Sequence, residues 1–248
     1  MDFIGKNVII TGGASGIGRA VTNGVIESGG TAIIVDINTE AAESVQKAFG
    51  SDRIYIYKAD MSNPDEIRRV FSQIIHDLGQ IHILINSAGI VSKKPFENIS
   101  QEEWDRVISI NLTGVFASIS SVYLHMVQKG YGRIVNVASV AGKIGGGLLG
   151  TSAYAASKAG VIGLTKAVAR EGAAKSIACN AVCPAMTMTP MILSEPEETQ
   201  NRIKAAIPMK RGAQPREVAN VILFYASDLA SFVTGEISDV DGGITMDG

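Results

Sequence analysis

The chain has 248 residues and carries 22 Lys and Arg against 24 Asp and Glu, a formal net charge of -2. It lacks the basic surplus that nucleic acid attracts, so we exclude nucleic acid as a partner. The first residues run into a short strand pattern instead of a signal peptide, and no apolar run approaches the ~18 residues of a membrane span; we therefore expect a cytoplasmic protein with no membrane partner.

Short apolar runs alternate with helical patterns along the chain. In order, the predicted strands are NVIIT, TAIIVD, RIYIYKAD, IHILINSAG, GRIVNVAS, SIACNAVCP and GEISDVDGG. Continuous apolar strands indicate a parallel sheet covered on both faces by helices. The pattern predicts a single α/β domain over 1–248: a doubly wound (Rossmann) parallel sheet of about seven strands, order 3-2-1-4-5-6-7.

One segment, 186–212, interrupts this alternation between the sixth strand and the helix that begins near Pro215. Its length and mixed polarity favour a substrate lid, because long insertions in compact domains are usually functional or mobile. The alternative is a simple crossover with one short helix.

A glycine-rich turn, TGGASGIG, follows the first strand and opens a helix. Glycines at such a turn let the backbone approach a pyrophosphate, whose charge the exposed N–H groups and the helix dipole favour. A glycine cluster alone is weak evidence, but here the flanking strand and helix provide the required context. The predicted cofactor-binding residues of this turn are Gly12, Ser15, Gly16, Ile17 and Gly18.

Asp36 closes the second strand, twenty residues after Gly16. A carboxylate there can accept hydrogen bonds from both ribose hydroxyls and repels a 2′-phosphate by about 4 kcal/mol at ~4 Å and an effective dielectric of about 20. We therefore predict NAD over NADP. The alternative, an Asp that only caps the next helix, is weaker because Asn38 and Thr39 can form that cap.

Small and polar residues follow the third and fourth strands. Since a dinucleotide lies across the carboxyl edge of such a sheet, these strand ends are predicted to line its groove. Asp60 and Met61 are placed at the adenine, and Asn86, Ala88 and Gly89 are placed beside the ribose and pyrophosphate.

The motifs TGGASGIG, NSAG, Asn111 in ISINLTGVF, Ser139 in NVAS and YAASK resemble, in order and approximate spacing, the short-chain dehydrogenase/reductase family. The resemblance covers essentially the whole chain. Its specificity lies in the joint order of the motifs, because each of them is short.

Tyr154 and Lys158 share one helix face, being four residues apart. A tyrosine acting as a base near neutral pH needs its pKa lowered by about three units, and a nearby ammonium, helped by a positively charged nicotinamide, favours the phenolate. The resemblance implies that Tyr154 is the general acid/base, Lys158 its electrostatic partner and a ribose ligand, and Ser139 the substrate orienter. It implies that Asn111 links the lysine to solvent. Alone, the pair would be read as a half-buried tyrosine beside a solvated lysine.

After the sixth strand, PAMTMTPM is placed by the resemblance against the nicotinamide, with Pro184, Thr187 and Thr189 as cofactor-binding residues. The alternative for Thr189 is a helix cap. Two departures from the family pattern are Ser87 in NSAG and Ala185 after Pro184, which would be strained if its φ were positive.

The loop between Ser139 and Tyr154 is longer than is common in the family, so we expect it to bulge on the substrate side, with Leu148 and Leu149 offering apolar contact. Neither this loop nor the lid carries a cluster of Arg or Lys.

Cys179 and Cys183 lie on one strand about 13 Å apart, too far for a disulfide. The histidines have no metal-ligand spacing, so no metal is expected.

We expect an NAD-dependent oxidoreductase that interconverts a secondary alcohol or polyol with its ketone. One alternative is a 3-oxoacyl-(acyl-carrier-protein) reductase, against which Asp36 argues because biosynthetic reductases commonly use NADPH. Another is a cofactor-sensing binding protein without turnover.

Two long helical patterns have more apolar surface than a one-sided helix needs, and the resemblance implies a homotetramer built on them and on the C-terminal strand.

Overall fold

The computed structural model describes residues 1–147 and 150–246. Its seven strands form one parallel sheet in the order β3-β2-β1-β4-β5-β6-β7, which confirms the predicted order. The strands are β1 Asn7–Thr11, β2 Thr31–Asp36, β3 Ile54–Lys58, β4 Ile83–Asn86, β5 Gly132–Val137, β6 Ile177–Pro184 and β7 Ile237–Val240. Leu148 and Leu149, with their predicted substrate contact, lie outside the described residues.

The strands read as continuous apolar runs because both faces of the sheet are covered. On β1, Val8 and Ile10 pack into the hydrophobic core on one face, while Ile9 packs into the core on the other. Ile9 lies between Ile33 of β2 and Leu84 of β4 in the parallel register. Alternate residues of a strand point to opposite faces, so a buried strand must be apolar at every position.

Among residues 1–147 and 150–246 there are ten α-helices. They are α1 Gly16–Glu27, α2 Thr39–Phe49, α3 Pro64–Leu78, α4 Gln101–Ile108, α5 Gly114–Lys129, α6 Ala141–Ile144, α7 Ser152–Gly172, α8 Pro190–Leu193, α9 Glu197–Ala206 and α10 Pro215–Ala226. The first core includes residues of α1 and α10, and the second includes residues of α3 and α5. The sheet is therefore a layer between two layers of helices.

The long helical pattern that contains Asn111 is interrupted. A π-helical turn, Ser109–Thr113, joins α4 to α5, with Asn111 inside it and fully buried. Such π turns are frequent at functional sites. The combined rod Gln101–Lys129 is long and apolar enough to cross a membrane, a test that core helices of soluble proteins also pass; residues of its α5 part pack into the core beside α3.

The segment 186–212, called the lid segment below, contains two short helices, α8 and α9. Met186, Ile192 and Ile207 form a small apolar cluster of their own, separate from the two cores. A parallel bridge between Thr187 and Ala213 ties its two ends together. Its role as a lid stays a prediction.

Several smaller expectations concern β6 and the residues around it. Cys179 and Cys183 lie on β6 as free, buried thiols. Ala185 does not adopt a positive φ, so the strain considered for it is absent. Within residues 1–147 and 150–246, no cluster of His, Cys, Asp and Glu could hold a metal ion.

Candidate active site

A cleft of about 670 Å³ runs along the carboxyl ends of the strands. Most of the residues predicted from the sequence line it, although they come from every part of the chain between the first strand and the lid segment. They are Gly12, Ser15, Gly16, Ile17, Asp36, Asp60, Met61, Ala88, Gly89, Ser139, Tyr154, Lys158, Pro184, Thr187 and Thr189. This edge is where ligands bind in open α/β sheets.

The glycine turn is compact for two steric reasons. Gly12 has φ +68°, and a Cβ added to it would lie 2.8 Å from the Cα of Ala88. A Cβ on Gly18 would lie 2.1 Å from the carbonyl oxygen of Gly12. Gly18 therefore packs against the Gly12 carbonyl and is not among the residues that line the cleft; the cofactor contact predicted for it stays a prediction.

The Asp36 carboxylate is held toward this turn by backbone N–H groups. Its Oδ2 accepts a hydrogen bond from Ala14 N at 3.1 Å, and its Oδ1 accepts one from Asn38 N at 3.0 Å. Asn38 caps α2 by accepting from Ala41 N, so Asp36 is not needed as that cap. A carboxylate has about four acceptor sites, which leaves capacity for a diol in the cleft.

Asn86 is not in the cleft, contrary to the prediction. It is 2% exposed, and its Nδ2 donates to Asn136 Oδ1 at 2.8 Å. Asn136 Nδ2 in turn donates to Thr165 Oγ1 at 2.9 Å. Asn86 thus belongs to a buried polar chain that joins β4, β5 and α7.

Asn111 lies behind the cleft and ties two of its walls together. Its Oδ1 accepts from Ile90 N at 2.9 Å, and its Nδ2 donates to Ile90 O at 2.8 Å and to Ser157 Oγ at 3.1 Å. These contacts hold the loop after β4 against α7. The link to solvent implied for Asn111 stays a prediction.

Ser139, Tyr154 and Lys158 converge where β5 ends. Ser139 is 8% exposed, and its Oγ accepts from Ala141 N at 3.2 Å. Lys158 Nζ lies 5.7 Å from the centroid of the Tyr154 ring and donates to Val137 O at 2.7 Å. The helical spacing of four residues therefore places ammonium and phenol on the same wall of the cleft.

Burial dominates the electrostatics of Tyr154 and Lys158. Burial raises the pKa of the Tyr154 phenol, and the Ser139 side chain acts in the opposite direction. Burial also lowers the pKa of Lys158 to about 8. Desolvation thus penalises both charged forms, and the lowering of the tyrosine pKa by Lys158 together with a positively charged nicotinamide stays a prediction.

The residues that form the walls of the substrate side were not identified from the sequence. These walls are mainly apolar and come from the loop after Ser139, the lid segment and the residues after β7: Val140, Ile144, Met186, Met191, Ile192, Ile203 and Ile244. Lys93 and Arg106 also line the cleft, and Lys93 pairs with Glu195 of the lid segment. The loop and lid segment were predicted to shape the pocket, but nothing in the sequence placed Lys93 opposite Glu195.

The described residues fit a dinucleotide. The glycine turn exposes backbone N–H groups at the start of α1, where a pyrophosphate is favoured, and Asp36 presents a fixed carboxylate to a ribose diol. Tyr154 and Lys158 would meet the nicotinamide end, since they lie at the far side of the same cleft.

Known proteins resemble this chain over nearly its full length. The sequence model of the enoyl-(acyl carrier protein) reductase family matches residues 12–245. The chain is 41% identical over 248 residues to the 3-oxoacyl-(acyl-carrier-protein) reductase of Thermotoga maritima, covering 99% of the chain and 100% of that protein. It is 39% identical over 238 residues to the acetoacetyl-CoA reductase of Rhizobium meliloti, covering 95% and 96%. The crystal structure of levodione reductase matches with a TM-score of 0.92 at 32% identity, covering 99% of the chain and 100% of that structure.

Proposed function

The chain belongs to the short-chain dehydrogenase/reductase family of oxidoreductases, and on that premise we propose that it is an NAD(H)-dependent reductase of 3-oxoacyl thioesters. The observation that carries the proposal is the convergence of Ser139, Tyr154 and Lys158 in a cleft whose substrate side is apolar. The Thermotoga maritima and Rhizobium meliloti relatives are named for reductions of this class. The polyol substrate expected from the sequence has less support, because apolar walls offer a polyol few hydrogen bonds.

The proposed chemistry is a reduction at the carbonyl carbon next to Tyr154. A bound nicotinamide supplies the hydride. The Tyr154 hydroxyl donates its proton to the carbonyl oxygen, and the Ser139 hydroxyl holds that oxygen beside it. A phenol whose pKa is raised by burial stays protonated at neutral pH, which is the form that a reduction requires.

The choice of NAD over NADP rests on Asp36. Its carboxylate is fixed by Ala14 N and Asn38 N at the end of β2. A 2′-phosphate about 4 Å from this carboxylate would be repelled by about 4 kcal/mol at an effective dielectric of about 20. The cofactor NADP is therefore disfavoured. The proposed cofactor is therefore NAD.

The proposal is tested by following NADH absorbance with acetoacetyl-CoA, a cyclic diketone, a secondary alcohol and a polyol as substrates. We expect the highest kcat/KM for acetoacetyl-CoA. A higher value for the cyclic diketone would favour the second candidate, a cyclic-ketone reductase, which the levodione reductase structure supports. Tight NADH binding without any turnover would instead favour a cofactor-sensing protein.

We also propose a homotetramer. Phe116 and Leu124 of α5 are 54% and 68% exposed, and α7 presents exposed small residues, Ala156, Ala159 and Gly163, which allow close packing of another helix. Light scattering after size-exclusion chromatography measures the assembly, and a monomer would refute it. Ala159→Leu is expected to weaken the association.

A further inference from the structure

A low-exposure ion pair joins the loop after Ser139 to the last strand of the sheet. Lys143 Nζ of α6 lies 2.7 Å from Asp239 Oδ2 of β7, and the two side chains are 16% and 17% exposed. Lys143 Nζ also lies 3.5 Å from the Ile237 carbonyl oxygen. The second carboxylate oxygen of Asp239 is buried and accepts no hydrogen bond from the described residues, so the carboxylate depends on Lys143 for its charge partner.

The helix that carries Lys143 is built directly on Ser139. Gly142 N donates to Ser139 O at 3.0 Å, and Lys143 N donates to Val140 O at 2.9 Å. Ala141 N donates to the Ser139 hydroxyl oxygen at 3.2 Å. A displacement of α6 therefore moves the donor that orients the Ser139 hydroxyl.

The same helix touches the lysine side of the site. A Cβ added to Gly142 would lie 2.7 Å from both the carbonyl carbon of Lys158 and the nitrogen of Ala159. The four residues of α6 are thus packed against the α7 backbone at the catalytic lysine. The helix is therefore held both by the α7 backbone and, through Lys143, by β7.

Cys183 shows that the ion pair and the catalytic groups share one environment. Burial raises the pKa of the Cys183 thiol to about 11, and Asp239 raises it further, while Lys143, Ser139 and Lys158 act in the opposite direction. The thiol is fully buried. Cys183 of β6 is the register partner of Asp239 in β7, so the ion pair is anchored on the strand next to β6.

We infer that Lys143 and Asp239 are positioning residues: their ion pair holds α6 against β7 and so fixes the Ser139 hydroxyl relative to Tyr154. Desolvation of a pair this enclosed offsets much of its attraction, so net stability is a poor reason for it. A hydrogen-bonded ion pair, however, has a preferred geometry, whereas an apolar contact does not, so the pair can fix the position of α6. The inference rests on the proposed reduction for its effect on catalysis, but not for its effect on α6.

The test replaces the pair by apolar residues, Lys143→Met with Asp239→Leu, because this removes both charges without leaving one buried alone. The matched control is Arg216→Met with Glu27→Leu, which removes an ion pair of the same 2.7 Å separation whose side chains are about half exposed. If the first double variant does not fold, Asp239→Asn removes one charge at constant shape.

Two readouts separate positioning from stability. Amide hydrogen exchange of residues 142–146, whose N–H groups bond within the α6 turn, is expected to accelerate about tenfold at an unchanged melting temperature. The kcat for acetoacetyl-CoA is expected to fall about tenfold while the KM for NADH stays within about twofold. The control variant is expected to change neither.

Unchanged exchange in this segment would overturn the inference, and so would faster exchange with an unchanged kcat. A wild-type protein that does not reduce acetoacetyl-CoA would refute the proposed function instead. The exchange measurement would then decide by itself whether the pair holds α6.

Discussion

The Lys158 ammonium donates to the carbonyl oxygen of Val137, 2.7 Å away, where β5 ends. This bond fixes the lysine head group at the carboxyl edge of the sheet, although its side chain is almost fully buried. The lysine is consequently placed by the strand as much as by its own helix.

Burial of this ammonium makes stability depend on pH. The folded pKa of Lys158 is about 8, against 10.5 for a free lysine, so between these values the unfolded chain binds one more proton and stability rises with pH. Relative to Lys158→Met, we expect the wild type to gain about 2 kcal/mol in unfolding free energy between about pH 7 and about pH 9.5. Urea unfolding at both pH values measures this gain. A constant difference between the two proteins would contradict it.

Asp36 is expected to determine cofactor preference. Asp36→Ala removes the charge that opposes a 2′-phosphate, so the ratio of kcat/KM for NADH to that for NADPH should fall at least about tenfold. Glu43→Ala removes an exposed acid on α2 and controls for net charge. Equal changes of the NADH to NADPH ratio in both variants would show that Asp36 does not determine cofactor preference.

Asn111 is expected to be essential for the shape of the cleft. Asn111→Ala leaves the N–H and carbonyl groups of Ile90 without their partner, and each unsatisfied buried group costs about 1–3 kcal/mol. We predict a loss of about 2–4 kcal/mol in unfolding free energy and a large loss of kcat. Asn201→Ala on exposed α9 serves as the control. Wild-type stability of Asn111→Ala would show that these bonds contribute little.

Tyr154 is expected to act as an acid over a wide pH range. Because burial raises the pKa of its phenol, kcat for reduction should stay nearly constant between about pH 6 and about pH 9. Tyr154→Phe should abolish turnover while NADH binding, followed by fluorescence, is retained. Retained turnover would refute the assignment of Tyr154, and a steep fall in kcat above pH 7 would refute its raised pKa.

Local sequence patterns predicted the features of the fold that depend only on residues close together in the chain. The continuous apolar strands predicted a buried parallel sheet, because a strand covered on both faces must be apolar at every position. The spacing of Tyr154 and Lys158 predicted a shared helix face, and Asn38 was recognised as the α2 cap. These features follow from backbone periodicity and short-range hydrogen bonds.

Predictions that depended on side-chain direction were less successful. Asn86 ends β4, next to the residues that line the cleft, but its side chain bonds to the buried Asn136. The π turn around Asn111 was not predicted, because a single i→i+5 turn inside a long helix leaves helical patterns on both sides of it. The burial that raises the pKa of Tyr154 could not be predicted either, since it depends on all the surrounding elements.

The sequence by itself determined the alternation of strands and helices, the glycine turn and the acid at the end of β2, because each is encoded in contiguous segments. Only the tertiary structure decided which strand-end residues line the cleft and which lie behind it. It also decided that Lys143 meets Asp239, 96 residues away in the chain, and Lys93 meets Glu195. The physical reason is that charge pairing and desolvation depend on distances between segments, which no local periodicity specifies.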